Sequence, residues 1–410
     1  MAIVSIFNGI FCKEKNLTNA LLKETGYKHF KDTDIISKAS RLSGMPKNKI
    51  EKTFSTKTSI FNKFTHEKER SLAYLKLALA KVLFEKDIVV EGFTTHLIPK
   101  EITHVLRVCI IADLKFRLLV AEKENDLKES EAVKLIQKKD EDSALWVNML
   151  HKMQDPWNAS LYDIIAPSNK MDEAGIVDLI VENLGKNVLK INKLSQRALE
   201  DFKLSAEVEV ALCKEGYILL DVSSQNGNVT LTINKHVLLL SRLEDDLRTI
   251  ACVIPGVKTV KTKLGPDFYK ADIYRKHDFE MPTKILLVDD EREFAQTLSE
   301  RLLIRDMGSS VTYDGESALE LIQEDEPEVM ILDLRMPGID GFEVLKKVKA
   351  TNPDIEVIIL TGHGSEADRQ DCMKLGAFDY LQKPVDIDEL SETIKRANEQ
   401  IRLKQKLNAE

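Results

Sequence analysis

VMILDLRMPGIDG, residues 329–341, reads as a strand, VMILDL, that runs out at Asp333 and leads towards the helical stretch GFEVLKKVKA. The same alternation extends in both directions. KILLV (284–288), SSVTY, VIILTG and DYLQK read as further short strands. EFAQTLSERLLIR, ESALELIQE and EADRQDCMKLG read as helices between them. The last helix, DIDELSETIKRANEQIRLKQKL, places Leu390, Ile394, Ala397 and Ile401 at 4-3-4 spacing, one apolar face of a helix. Five strands alternating with five helices predict an α/β fold, a parallel sheet covered on both faces.

In such a sheet, reactive groups collect at the carboxyl ends of the strands. Asp289 and Asp290 follow the first strand and Asp333 ends the third. Thr361 ends the fourth and Lys383 the fifth. Three carboxylates in one crevice repel and raise one another's pKa. A hard divalent cation relieves that conflict, and an oxygen-only donor set favours Mg²⁺. Asp333 can then act as a nucleophile towards a phosphoryl group, with Lys383 neutralising the added charge and Thr361 donating a hydrogen bond. Pro384 keeps Lys383 out of the helical region and ends the strand there.

With these residues in order, 284–405 resembles the receiver domain of two-component response regulators. The resemblance implies a flavodoxin-like five-stranded fold. Asp289-Asp290 with Glu291 matches the acidic pair, Asp333 the phosphoacceptor, Thr361 in LTGHG the hydroxyl and Lys383-Pro384 the lysine–proline pair with its cis peptide. Tyr380 matches the switch aromatic, and the backbone carbonyl of Arg335 a third metal ligand. It implies Mg²⁺ as cofactor, and a sensor histidine kinase or phosphotransfer protein as partner. The apolar stripe of the last helix serves either a receiver homodimer or core packing.

A second boundary falls near GKNVLKIN (185–192), so the expected domains are 1–187, 188–280 and 281–410. The junction with the third is marked by DFEMPTK (278–284). Between them, YILLDVSS and NVTLTIN meet at Asn226-Gly227, a hairpin signal. With the preceding long helix, KHVLLLSRLEDDLRTIACVI and VKTVKTKL, they predict a small αββαβ module. NGNVTL (226–231) and IPGVKTV (254–260) resemble the BON domain, although Thr232-Ile233 stands where that family often has a glycine. The resemblance implies an interaction or ligand-sensing module.

Residues 1–187 resemble the cytidylate-kinase-like family of P-loop nucleotide kinases, an α/β fold. IVSIF takes the first-strand position, Asp32 in GYKHFKDTDIISKAS the acidic entry of the monophosphate site and Gly92 the end of VVEGF. Arg117 takes the basic helix start, and Tyr162-Asp163 the final strand. A phosphate-cradling loop needs glycines that let successive N–H groups face the anion. Here only Gly9 precedes Ile10, Phe11 and Cys12, with Lys13 and Lys15 beyond. KKDEDSALW resembles the lid, with Asp142 and Ser143 where an arginine is expected, and Phe93 replaces another. The domain therefore reads as degenerate, and nucleotide binding by it is doubtful. The alternative is a phosphorylation-gated nucleoside monophosphate kinase.

Length and composition fit a chain of several folded domains. The chain has 410 residues, 43% hydrophobic, with 17 Gly and 11 Pro, which excludes a low-complexity chain. The net charge of −8 conceals two balances: 16 Lys/Arg against 28 Asp/Glu in 284–410, and 43 against 39 in 1–283. No basic surface for a nucleic-acid coat follows, and no helix-turn-helix segment follows the receiver, so DNA is not an expected partner. Five scattered cysteines, Cys12, Cys109, Cys213, Cys252 and Cys372, form no metal or disulfide pattern. No run spans a membrane and the start is no signal peptide, so a cytoplasmic location is expected.

Overall fold

The computed structural model describes all residues except 1–2, 56–61, 219, 235–239, 267, 269–283, 306, 363 and 408–410. The stretch DFEMPTK therefore lies outside the described residues except for Lys284, as do His363 of LTGHG and the first residues of KHVLLLSRLEDDLRTIACVI. The chain divides into two compact units, Met1–Thr58 with Glu67–Tyr274, and Ser59–His66 with Arg275–Glu410.

The first unit opens with β1 (Ile3–Asn8), α1 (Glu14–Thr25), β2 (Lys28–Lys31), α2 (Asp32–Ser43) and the short α3 (Lys47–Glu51). After α4 (Asn62–Thr65), which groups with the second unit, come α5 (Glu67–Leu83), β3 (Ile88–Glu91), β4 (Val105–Ile111), α6 (Leu114–Asn125) and α7 (Glu129–His151). β5 (Ile164–Pro167) and α8 (Glu173–Leu184) complete a parallel sheet of order β2-β3-β1-β4-β5. Alternate residues of β1 feed opposite cores. Ile3 packs with Tyr74, Leu75 and Leu79 of α5, while Val4 and Ile6 pack with Leu17 and Leu21 of α1 and Ile176 of α8.

The αββαβ order appears as expected: α9 (Lys193–Lys214), β6 (Leu220–Gln225), β7 (Asn228–Ile233), α10 (Leu240–Cys252) and β8 (Thr259–Leu264). β6 and β7 are antiparallel, and β7 and β8 parallel. Asn226 (φ 53°) and Gly227 (φ 82°) make the two-residue turn, both in the left-handed region that this turn demands. The boundary near residue 187 falls at the turn between α8 and α9, inside the compact unit. α9 has two apolar faces. Leu199, Ala206 and Val210 join the α5 core, and Leu204, Val208 and Leu212 sit under Val229, Leu231 and Ile233. The side chain of Asn192 caps α9 by accepting from the Ser195 N–H at 2.8 Å.

The second unit holds β9 (Ile285–Val288), α11 (Arg292–Ile304), β10 (Ser309–Thr312), α12 (Gly315–Glu324), β11 (Val329–Leu332), α13 (Gly341–Thr351) and β12 (Glu356–Thr361). α14 (Glu366–Lys374), β13 (Asp379–Gln382) and α15 (Ile387–Leu407) follow. All five strands are parallel, in the order β10-β9-β11-β12-β13. β9, β11 and β12 are buried at every position, which explains their unalternating apolar sequences. Leu286, Val288, Met330 and Leu332 face Val344, Leu345 and Val348 of α13. Ile285, Leu287 and Ile331 face α11 and α15. Leu390, Ile394, Ala397 and Ile401 are all buried in that second layer, so the 4-3-4 stripe is core packing rather than a free seam.

Candidate functional site

In the second unit, register brings the reactive residues together. Val288 and Leu332 are paired neighbours, so Asp289 and Asp333 emerge side by side, and the Asp333 N–H donates to the Val288 carbonyl at 3.0 Å. Thr361 pairs with Gln382, which brings Lys383 level with the end of β12. Asp289, Asp290 and Asp333 each present an oxygen within 4.8 Å of the others. Asp289 and Asp333 are buried, and Asp290 is partly open to solvent.

Lys383 Nζ is the counter-charge. It lies 2.7 Å from Asp289 Oδ2, 3.2 Å from Asp333 Oδ2 and 3.0 Å from Glu291 Oε1, over the Phe294 ring at 4.4 Å. Burial pushes the Asp289 carboxyl up, against the hydrogen bond and charge of Lys383. Burial alone would lower the Lys383 ammonium, but its carboxylate partners raise it. The other Asp333 oxygen, Oδ1, accepts from the Leu334 N–H at 2.7 Å and the Arg335 N–H at 3.4 Å. The Lys383-Pro384 peptide is cis.

Thr361 is fully buried at the strand end. Tyr380 is buried in the α13 and α14 layer, its hydroxyl without a hydrogen-bond partner. A Cβ on Gly364 would strike that hydroxyl and the Thr361 methyl, so the glycine makes room for both. A Cβ on Gly341 would strike the backbone of Asp333 and Leu334, so only glycine lets α13 start this close to Asp333. Glu291 as a partner of Lys383, Gly341 and Gly364 are site features that motif reading leaves unassigned. The glycines' only sequence signal is their place beside motif residues.

The donor set is all carboxylate oxygen, crowded, and only partly offset by the one ammonium group of Lys383. That chemistry fits a hard divalent ion such as Mg²⁺ held by Asp289, Asp290 and Asp333.

In the first unit the corresponding strand ends are arranged differently. Arg117 is buried and fully engaged. Its Nε donates to the Ile10 carbonyl at 2.9 Å, and Nη1 and Nη2 each reach Asp140 at 2.8 Å. The Cys12 N–H in the bend after β1 donates to Glu14 Oε2 at 3.0 Å. Phe11 and Lys13 both have positive φ. Asp32 accepts from the N–H groups of Phe93 and Thr94 and from the Thr94 hydroxyl, at 2.7–3.0 Å. Burial pushes it up to about 6 although these bonds oppose the shift. Gly92 (φ 117°) leaves the space that the Asp32 carboxylate occupies.

The lid-like KKDEDSALW lies inside α7. Asp142 and Ser143 are buried there, and it is Asp140 that meets Arg117. Phe93 packs against Phe54 (5.4 Å) and Trp146 (6.3 Å), and the Trp146 indole donates to its carbonyl. Tyr162 donates to the Pro156 carbonyl, and Asp163 accepts from the Arg107 N–H. Lys15 is exposed, and Lys13 lies 3.9 Å from Glu173.

Residues 285–395 match the family model described as response regulator receiver domain. The C-terminal part of the chain is a response regulator receiver domain. Residues 3–170 match the model of the cytidylate kinase-like family. The receiver region is 37% identical over 110 residues to response regulator MprA of Mycolicibacterium vanbaalenii, covering 27% of this chain and 48% of that protein. MprA of Mycobacterium tuberculosis is 36% identical over the same length. The chain thus spans about half the length of the curated relatives it matches. Among solved structures, a receiver domain protein from Clostridium thermocellum is 35% identical, with a TM-score of 0.29, covering 30% of this chain and 98% of that one. The receiver domain of a LuxO repressor protein from Vibrio parahaemolyticus is 26% identical with a TM-score of 0.30, covering 31% and 97%. No helix among the described residues is long and apolar enough to cross a membrane.

Proposed function

We propose that this chain is a cytoplasmic phosphorelay response regulator. In this reading Asp333 accepts a phosphoryl group from the phosphohistidine of a sensor histidine kinase or phosphotransfer protein. The observation that carries it is the grouping of Asp333 with Asp289, Asp290 and Lys383 at one set of strand ends. An Asp333 oxygen attacks phosphorus as the bond from phosphorus to the histidine nitrogen breaks. Asp289, Asp290, Asp333 and the Arg335 carbonyl would hold Mg²⁺, which would supply charge neutralisation for that transfer. Lys383 already stands 3.2 Å from Asp333 and offsets the charge on the acyl phosphate. Thr361 donates to a phosphoryl oxygen. Tyr380, the switch aromatic, packs inward in the state in which Thr361 turns to the phosphate, and that coupling biases the domain between two states.

The first unit serves as the output or docking surface. It is not read as a nucleoside monophosphate kinase, because its own carboxylates occupy the groups that would meet phosphate. Asp140 takes Arg117, and Glu14 takes the loop N–H of Cys12. Phe54, Phe93 and Trp146 fill the neighbouring space with rings. The BON-like segment is an interaction module in this account. Phosphoramidate with Mg²⁺ is expected to label the wild type and not Asp333→Asn; equal labelling of both sinks the phosphoacceptor assignment. Turnover of ATP with CMP by the full chain, undisturbed by Asp333→Asn, would instead support the kinase.

A further inference from the structure

The three-stranded sheet of the first unit has two edges, and they are defended unequally. β8 carries Lys261 and Lys263 at alternate positions, the usual guard against strand addition. β6, LDVSSQ, carries no lysine, arginine or proline. Its hydrogen-bond parity follows from the turn. A two-residue turn makes Gln225 and Asn228 a hydrogen-bonded pair, so Ser223 and Asp221 also bond β7. The N–H and C=O groups of Leu220, Val222 and Ser224 therefore point away from the sheet. The Ile233 carbonyl, opposite Leu220, is turned to the other side and accepts from Gly265, as this parity requires.

Among the described residues no strand pairs with that edge, which faces a continuous groove. One stretch of about 800 Å³ and another of about 320 Å³ share Lys76, Glu209 and Val222. α9 forms the floor, and the segment around Leu97 and Pro99 forms part of the opposite wall. Leu194, 77% exposed, stands at the margin as an uncovered apolar contact. The lining is acidic: Glu209 pairs with Lys76 at 3.0 Å, and Glu69, Glu101, Asp201 and Asp221 outweigh the remaining Arg197. An extended strand rises about 3.3 Å per residue, so the length of β6 matches a partner segment of similar length.

We propose that this groove binds an extended, basic peptide segment of a partner protein, which adds as a strand to the open edge of β6. Main-chain bonds to Leu220, Val222 and Ser224 supply the affinity, and the carboxylates select lysine or arginine side chains. The proposal concerns the first unit alone and does not depend on phosphoryl transfer at Asp333.

The test pans a random peptide library against the full chain. Val222→Pro is the counter-bait, since it removes only an outward N–H and leaves the β6–β7 ladder intact. Enrichment of Lys/Arg-bearing peptides that bind Val222→Pro about tenfold or more weakly supports the proposal, as does slowed amide exchange at Leu220, Val222 and Ser224 on binding the selected peptide. If Val222→Pro does not fold, Glu101→Lys with Asp221→Lys takes its place and should lose the basic peptides equally. No enrichment, peptides without basic residues, or equal binding by the variants overturns it. Sedimentation showing a dimer that Val222→Pro abolishes also overturns it, in favour of a second copy of this chain on the edge.

Discussion

Two parallel sheets in this chain end in charged residues, and they treat that charge in opposite ways. In the receiver domain, three carboxylates crowd together and two of them, Asp289 and Asp333, share one ammonium group, Lys383, leaving an arrangement that gains from another cation. At the β1 bend of the first unit, the charges are already matched. Arg117 has both guanidinium arms on Asp140, and the loop N–H of Cys12 has the Glu14 carboxylate. The difference teaches how an arrangement that would gain from an ion can be told from one that would not. An open site keeps like charges close and uncompensated. A closed one satisfies each donor and acceptor from within, so a ligand would have to displace bonds that folding has made.

The sharpest way to break that comparison is Arg117→Ala. It leaves the part-exposed Asp140 carboxylate and the Ile10 carbonyl without their partner, and should cost the first unit about 1–3 kcal/mol in urea unfolding of the full chain. A loss near zero would mean that the closed network is ornamental. Lys383→Ala probes the other side. It should slow labelling of Asp333 by small phosphodonors by about a hundredfold, and an unchanged rate would remove lysine from the account.

The pH response separates the regions again. Burial and the neighbouring His151 hold His96 down to about 3, whereas its ordinary value is 6.5. Between those values the unfolded chain binds the extra proton. The His96 contribution is therefore fully present above about pH 6.5, and is lost as the pH falls towards 3. Acid unfolding of the first unit should be shallower in His96→Leu than in wild type; parallel curves would contradict the assignment. Asp289, displaced upward, should give up bound Mg²⁺ at a higher pH than an ordinary carboxylate, measured by metal titration. The smallest effect belongs to Tyr380→Phe. Its hydroxyl is buried without a partner, so removal should change receiver stability by under about 1 kcal/mol while altering the phosphorylated state.

Much of the receiver site was legible because its chemistry is tied to strand ends. Asp289, Asp333 and Thr361 each follow an apolar run and Lys383 follows the strand DYLQ, and parallel register then makes them neighbours without further information. Asn226-Gly227 was legible for a similar reason, since few residue pairs accept two positive φ values. The Arg117–Asp140 pair was not. The two residues lie on separate helices, and nothing in KKDEDSALW distinguishes Asp140 from Asp142 until α7 is docked and rotated against its neighbour. The double role of α9 was hidden too. Its apolar residues cover two faces, and a sequence window shows an amphipathic helix without saying how many cores it serves. The third partner of Lys383, Glu291, sat beside the acidic pair but needed the helix start to aim it.

The central claim is that the open set of carboxylates receives a phosphoryl group and that Asp333 is its acceptor. The most direct measurement incubates the full chain with acetyl phosphate, with and without Mg²⁺, and locates the label by peptide mapping. The account predicts label on Asp333 alone, dependent on Mg²⁺ and absent from Asp333→Asn. Label of equal extent in that variant, or label mapped to the first unit, would contradict it.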